Sequence, residues 1–302
     1  MILVTTPTGN SGSIILRQLV EGGHAVRVLV RDPQKIPEDL RAKIEIAQGS
    51  LLDVDEFTKA LTGCDTVYYC IPQGVTPTNV MKYYEEFAGV AAEAIRRAGT
   101  KRIVYLGGAG KTSPYHDNAG TLSGLYRAED ILAESGAAMR ALHCPNFYEG
   151  LLWQVQAIAK ANMFFIAVPG DCKYPEVALR DIANVAVKWL TDPNWTGVES
   201  VGVIGPEDLS SNEVAKLLSD ALGRPIHFQQ LSREENLNNL LQFGLSDVLA
   251  NSMADLYEAV AQGLFAAEPR TPETTAPTSM KQWIAEVFVP TYNYMTSNNT
   301  GA

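Results

Sequence analysis

The chain has 302 residues, of which 46% are hydrophobic and 19% are charged. This composition is typical of a folded globular protein, and it excludes collagen-like, coiled-coil and disordered chains. The formal net charge of -10 disfavours binding to nucleic acids and to anionic membranes. The four cysteines form no Cys-x-x-Cys pair, so we interpret them as reduced thiols of a cytoplasmic protein. No apolar run reaches the roughly 18 residues of a membrane span, and we expect no membrane partner.

The first half of the chain alternates between strand and helix patterns. A strand is predicted at 2–5, a helix at 13–21 and a second strand at 25–30, which together form one βαβ unit. The alternation continues with strands at 44–47, 66–70, 102–106 and 139–142, and with helices at 55–61, 83–97 and 122–134. Six strands joined by helical crossovers predict an α/β fold with a doubly wound parallel sheet.

This alternation ends near residue 145. Helices are predicted at 181–190, 212–222 and 232–243, and one more strand at 201–204. The segment 269–278 and the tail from Ser297 have the composition of loops or disordered chain. We therefore predict a sheet domain over residues 1–150, to which segments near 181–204 return, and a smaller α+β lid domain over 151–302.

The loop between the first strand and the first helix carries the most specific pattern, Thr6-Pro7-Thr8-Gly9-Asn10-Ser11-Gly12. Two glycines three residues apart let the backbone turn tightly and approach a pyrophosphate at the start of the helix. Short polar side chains in the loop add possible donors. A three-glycine fingerprint would have its first glycine at Thr6, so the motif is incomplete. The alternative interpretation is a glycine turn that binds nothing.

The end of the second strand bears on the type of dinucleotide. A carboxylate at this position accepts hydrogen bonds from a ribose 2'-hydroxyl, whereas a cation pairs with a 2'-phosphate. The strand ends at Arg31, and Lys35 follows four residues later. These two cations favour a phosphorylated ribose. Asp32 leaves two alternatives open, since its carboxylate suits either the ribose hydroxyl or a turn cap.

The sequence resembles the NmrA-like group of atypical short-chain dehydrogenases over most of its length. The resemblance is carried by the glycine loop, by Val26 to Pro33, by Gly49 to Asp53, by Ala128 to Gly136, by Arg180 to Ala183 and by Gly205 to Pro225. It implies a Rossmann-like domain that binds NADP(H) and a substrate cleft beneath the lid. It also implies further dinucleotide contacts, from Ser50, Leu51, Ile71, Pro72, Gln73, Gly107, Gly108, Pro145, Asn146 and Phe147.

The usual catalytic residues of short-chain dehydrogenases are missing. These enzymes use a serine and a Tyr-x-x-x-Lys pair, in which the lysine lowers the pKa of the phenol. No tyrosine of this chain has a lysine four residues later, and glycines occupy the expected serine position after the fifth strand. Tyr126 occupies the helix position at which these enzymes carry the lysine.

Three residues are candidates for acid-base chemistry or for binding substrate. Tyr126 is a candidate proton donor, His116 a loop acid or base, and Asn146 a ligand of a substrate oxygen or of the cofactor amide. The alternatives are a half-buried interface tyrosine, an exposed loop histidine and a Pro-Asn turn. His143, at a strand end, is expected to be buried with satisfied hydrogen bonds. No ligand spacing for a metal occurs, and none is predicted.

We therefore predict an NADPH-dependent reductase that transfers a hydride to a small conjugated or aromatic molecule, such as a quinone or an enone. Such acceptors need little acid-base assistance from the protein. Two alternatives remain, a non-catalytic dinucleotide sensor of the NmrA type and a non-redox isomerase or cyclase. The expected partner is a small-molecule substrate, and the sequence leaves open a monomer or a homodimer.

Overall fold

The structure is a computed structural model, and it describes residues 1–74 and 76–297. Strands in this part of the chain are β1 (Ile2–Thr5), β2 (Val26–Val30), β3 (Glu45–Gln48), β4 (Thr66–Tyr69), β5 (Arg102–Gly108), β6 (Ala138–Cys144), β7 (Asn146–Phe147), β8 (Met163–Ile166), β9 (Tyr174–Val177), β10 (Val198–Gly202), β11 (Asp208–Leu209) and β12 (His227–Gln230).

The helices of the same part are α1 (Asn10–Glu21), α2 (Glu38–Arg41), α3 (Val54–Leu61), α4 (Val80–Ala98), α5 (Thr121–Ala133), α6 (Val155–Ala161), α7 (Leu179–Thr191), α8 (Ser211–Leu222), α9 (Arg233–Gln242), α10 (Asp247–Ala261), α11 (Met280–Trp283) and α12 (Val289–Ser297). Within the described ranges, no helix combines the length and the apolar character needed to cross a membrane.

Seven parallel strands form the central sheet, in the order β3-β2-β1-β4-β5-β6-β10. Side chains alternate between its two faces. Val4 therefore packs with α1 and α7 on one face, while the adjacent Leu3 packs with α3 and α4 on the other. Because all seven strands are parallel, their carboxyl ends share one edge, and the switch in strand order between β1 and β4 opens a crevice there.

The rest of the chain forms a smaller layer near this edge. It contains a three-stranded sheet, β11-β9-β7, and a two-stranded sheet, β12-β8. One buried apolar cluster lies inside this layer, around Trp283 and Phe288. A second cluster joins the layer to the sheet edge, because it combines Ala109 and Tyr126 with Tyr174, Val260 and Phe265.

The predicted doubly wound parallel sheet is confirmed, and it has seven strands rather than six because β10 adds to its edge. Helix α10 was not predicted. The segment 269–278, predicted as loop or disorder, is an ordered loop, since the Ile204 N–H donates to the Thr274 carbonyl at 2.9 Å and the Ala276 N–H to the Ile204 carbonyl at 2.7 Å. Of the tail predicted to be disordered, Ser297 ends α12 and residues 298–302 lie outside the described ranges.

Candidate active site

The glycine loop is held by its own backbone. Thr6 adopts a left-handed conformation with φ of 47°, at the position where a full fingerprint has glycine. Its carbonyl accepts a hydrogen bond from the Gly9 N–H at 2.9 Å. A Cβ on Gly12 would lie 2.2 Å from the same carbonyl oxygen. Gly12 is therefore required by close packing of the loop on α1, whether or not a ligand is bound.

The start of α1 offers free backbone donors. Gly9 is the N-cap, no side chain caps the helix, and the first turn carries no acidic residue. The first amides of the helix are thus available to an anion. The Ser11 hydroxyl is buried, and it accepts a hydrogen bond from the Tyr68 hydroxyl at 2.9 Å. Thr8, Gly9 and Asn10 are exposed.

The end of β2 presents two unpaired cations. Arg31 and Lys35 are exposed, and neither side chain forms an ion pair or hydrogen bond with any described residue. Asp32 instead caps the following turn, since its Oδ1 accepts from the Gln34 N–H at 3.0 Å. Free cations beside an open helix start fit a phosphorylated dinucleotide.

The remaining residues predicted to bind the dinucleotide lie at the carboxyl ends of the strands. Next to β3, the Ser50 N–H donates to the Glu56 carboxylate at 2.7 Å, and Leu51 is partly buried. The chain is tightly packed just after β4 and at the end of β5, because Ile71, Gly107 and Gly108 are buried. The Pro72 carbonyl accepts from the Tyr83 hydroxyl at 2.8 Å. Gln73 is exposed, Pro145 is buried, and Asn146 and Phe147 form β7.

The three residues predicted for catalysis lie on separate elements, and no hydrogen bond joins them in the described structure. Tyr126 is buried on α5, its hydroxyl donates to the Ala109 carbonyl, and burial raises its pKa. His116 lies in an exposed turn, where Nδ1 is 2.7 Å from the Ser113 carbonyl. The Asn146 side chain makes no hydrogen bond to a described residue.

A buried charge network at the end of β6 was missed by sequence reasoning. His143 is buried with both ring nitrogens bonded, as expected, but its partners are carboxylates. Nε2 lies 2.9 Å from Glu129 and Nδ1 lies 3.0 Å from Glu268. Burial would lower the pKa of His143, yet the two carboxylates raise it to about 9. Lys111 extends the network, with Nζ 2.9 Å from Glu129.

The predicted site does not coincide with a cavity at the smaller layer. This cavity has a volume of about 360 Å³ and lies between β9 and the segment 263–270. Glu268, which belongs to the charge network, lines this cavity together with Lys173, Arg270 and several apolar residues. Among the described residues, those predicted for catalysis or for the dinucleotide do not line it.

Comparison with known proteins finds a family match over most of the chain. Residues 7–193, which include both cations after β2 and all of the glycine loop except Thr6, match the NAD(P)H-binding family. The chain belongs to this family. The predicted resemblance to NmrA-like proteins and the predicted cofactor class are thereby confirmed.

Two curated relatives are reductases. An NAD(P)H azoreductase of Xenophilus azovorans is 32% identical over 257 residues, which cover 85% of this chain and 86% of the relative. A (4-alkanoyl-5-oxo-2,5-dihydrofuran-3-yl)methyl phosphate reductase of Streptomyces griseus is 30% identical over 233 residues, or 76% and 77% of the two chains. These relatives confirm the predicted class, an oxidoreductase.

Solved structures confirm the fold. The NADPH-dependent quinone oxidoreductase QOR2 of Escherichia coli, in complex with NADPH, has a TM-score of 0.80 at 23% identity, covering 95% of this chain and 100% of that one. A Citrobacter triphenylmethane reductase in complex with NADP(H) has a TM-score of 0.76 at 19% identity, covering 93% and 98%.

Proposed function

We propose that the protein is an NADPH-dependent reductase that transfers a hydride to a small conjugated or aromatic acceptor, such as a quinone, an enone or an azo compound. The observation that carries this proposal is the similarity to the azoreductase over 85% of the chain. The two cations after β2 support NADPH over NADH.

Different residues of the chain bind different parts of the dinucleotide. The first amides of α1 bind the pyrophosphate, because this helix start is uncapped and lacks an acidic residue. Arg31 binds the 2'-phosphate through its planar guanidinium, and Lys35 adds a second positive charge. Ser50 and Leu51 lie beside the adenine, while Pro145, Asn146 and Phe147 lie beside the nicotinamide.

When bound, the reduced dinucleotide supplies the hydride. Acceptors with conjugated double bonds fit a site that lacks Ser, Tyr and Lys, because they need no strong base or oxyanion stabilisation. The protein's task is to hold the acceptor against the nicotinamide face and to exclude water. The small sheet β11-β9-β7 and helix α10 border the sheet edge where this takes place.

Deuterium transfer tests this proposal. Purified protein is mixed with NADPH deuterated at C4 and with a quinone, an enone or an azo dye, and deuterium in the product is measured by mass spectrometry. Where the added hydrogen exchanges with water, the isotope effect on the rate of NADPH oxidation is measured instead. We expect transfer from one face of C4. Tight NADPH binding without oxidation by any acceptor would instead support the sensor, and product formation with unchanged NADPH would support an isomerase or cyclase.

We further propose that the protein acts in the cytoplasm on a small molecule. Its four cysteines are unpaired, and Cys64 and Cys144 are buried, as befits a reducing compartment. Light scattering decides between a monomer and a homodimer.

A further inference from the structure

Glu176 lies beside Asn146 in the small sheet. Strands β7 and β9 are parallel neighbours, and Asn146 is the register partner of Glu176. Register partners in adjacent strands project from the same face of a sheet, so both side chains share one face. The next pair, Phe147 and Val177, projects from the opposite face and packs against the core of the central sheet.

The face that carries Glu176 lies toward the buried cluster that joins the smaller layer to the sheet edge. Tyr174, two residues earlier on the same strand, also projects from this face. It packs in the cluster that contains Tyr126 and, from α10, the partly buried Tyr257. The carboxyl of Glu176 is close enough to raise the pKa of both Tyr174 and Tyr257.

Glu176 differs from the other buried carboxyl groups of this region in having no hydrogen-bond partner among the described residues. Glu129 and Glu268 each bond His143. Glu149 accepts from the Trp283 indole N–H at 3.0 Å. Within residues 1–74 and 76–297, the Glu176 side chain forms no hydrogen bond or ion pair, although it is partly buried. The Glu176 carboxyl and the neighbouring Asn146 amide, both without a hydrogen-bond partner among the described residues, are therefore available to a ligand.

The surroundings of Glu176 keep it protonated near neutral pH. Burial, followed by the charge of Glu149, raises its pKa to about 8. Glu176 also lies near the hydroxyls of Tyr148, Tyr174 and Tyr257, and burial raises the pKa of each, so all three are neutral in this range. At pH 7 most molecules therefore carry an O–H donor at this position.

We propose that Glu176 is the proton donor of the reduction, giving its carboxyl proton to a heteroatom of the acceptor as the hydride adds to the conjugated system. This inference rests on the proposed function and on the nicotinamide lying beside Asn146. The hydride brings two electrons and one proton, and the Glu176 carboxyl brings the second proton. The acceptor leaves with two more hydrogens, and the Glu176 carboxylate recovers its proton from water. The Tyr126 hydroxyl is less suited to this role, since it already donates to the Ala109 carbonyl.

The first test measures the carboxyl itself, without cofactor or substrate. Infrared difference spectra of wild type against Glu176→Gln are recorded from pH 5 to pH 10. We expect a protonated-carboxyl band that is present only in wild type and disappears with a midpoint near the pKa of about 8. A Glu176 that is already ionised at pH 7 would overturn the inference, whatever the activity of the protein.

The second test measures turnover with a quinone or an azo dye. Glu176→Gln keeps the size of the side chain but cannot release a proton as an acid, so we expect kcat to fall by about 10²- to 10⁴-fold. The affinity for NADPH should not change. In wild type, kcat should fall as pH rises through about 8, and this dependence should be absent in Glu176→Gln. Glu176→Asp should keep the pH dependence at a reduced rate.

Glu234→Gln is the matched control, because Glu234 is exposed on α9 and forms no contact with the site. It should behave as wild type. If wild type oxidises NADPH and Glu176→Gln does so equally fast, the inference is wrong and the proposed function stands. If wild type does not oxidise NADPH with any of the acceptors, the inference and the proposed function are both wrong.

Discussion

Gly12 and Thr6 are in closer contact than any side chain at position 12 would allow. A Cβ at Gly12 would lie 2.2 Å from the Thr6 carbonyl oxygen and 2.9 Å from its carbon, so the first turn of α1 rests directly on the loop. This contact changes how the glycine loop must be tested. A substitution at Gly12 disturbs the protein itself, and a loss of cofactor affinity there does not by itself identify a phosphate site.

Gly12→Ala should therefore destabilise the cofactor-free protein. Overpacking against a backbone carbonyl lowers the free energy of unfolding by about 1 to 3 kcal/mol. Gly9→Ala is the matched control, because its Cβ would lie 3.3 Å from the same oxygen and requires only a small adjustment. Urea unfolding without NADPH compares the two variants. Equal stability of Gly12→Ala and wild type would show that the loop is looser than described.

Arg31→Ala tests the cofactor preference more directly, since Arg31 is exposed and its side chain has no partner to lose among the described residues. A hydrogen-bonded pair with a phosphate contributes about 1.5 to 3 kcal/mol, so NADPH should bind roughly ten- to a hundredfold more weakly while NADH is unaffected. Added salt should reduce the difference. Calorimetry with both cofactors measures it.

Asp32→Asn is the companion variant. Because Asp32 caps the Gln34 N–H, its substitution should leave the ratio of NADPH to NADH affinity unchanged. A change in that ratio for Asp32→Asn, with none for Arg31→Ala, would assign recognition of the ribose to Asp32.

His143 should stay charged well above neutral pH. Its pKa is raised to about 9, above the ordinary value of 6.5, so its stabilising contribution is complete below pH 6.5 and is lost as pH rises through about 9. The contribution is on the order of 3 kcal/mol at about 1.4 kcal/mol per pKa unit. Proton NMR of the imidazole, assigned by its absence in His143→Gln, measures the midpoint. Glu129→Gln should lower it, and a wild-type midpoint at or below 6.5 would contradict the network.

Tyr126→Phe separates a proton donor from a structural hydroxyl. A proton donor would lose about 10²- to 10⁴-fold in kcat. Because the Tyr126 hydroxyl bonds the Ala109 carbonyl, we expect a change of less than about tenfold and a loss of about 1 to 3 kcal/mol in the free energy of unfolding. The exposed Tyr294→Phe serves as control. A large loss of kcat at unchanged stability would restore Tyr126 as the donor.

The sequence predicts those parts of the structure whose residues are close to one another in the chain. The β1–α1–β2 unit and the glycine loop lie within 30 consecutive residues, and their apolar spacing and glycines are specific. Arg31 also follows from the sequence, because its position is set by the end of a predicted strand. The conformation of Thr6 does not, since threonine rarely adopts a left-handed conformation and only its place in the glycine fingerprint points to one.

The long-range pairs could not be predicted. His143 and Glu268 are 125 residues apart, and only the packing of the segment after α10 on the sheet edge brings them together. Asn146 and Glu176 are register partners because Asn146 belongs to the two-residue strand β7. A strand this short shows no periodicity in the sequence, where Asn146 has the pattern of a Pro-Asn turn. Glu176 was not singled out, because an isolated glutamate in a short strand gives no signal before its neighbours are known.

The most direct measurement of the proposed function follows NADPH absorbance after the purified protein is mixed anaerobically with a panel of quinones, enones, azo dyes and triarylmethane dyes. The structure and the relatives predict that at least one acceptor class oxidises NADPH stoichiometrically, faster than NADH, and that Arg31→Ala removes this preference. Saturating NADPH binding with no oxidation by any acceptor would contradict the assignment as a reductase.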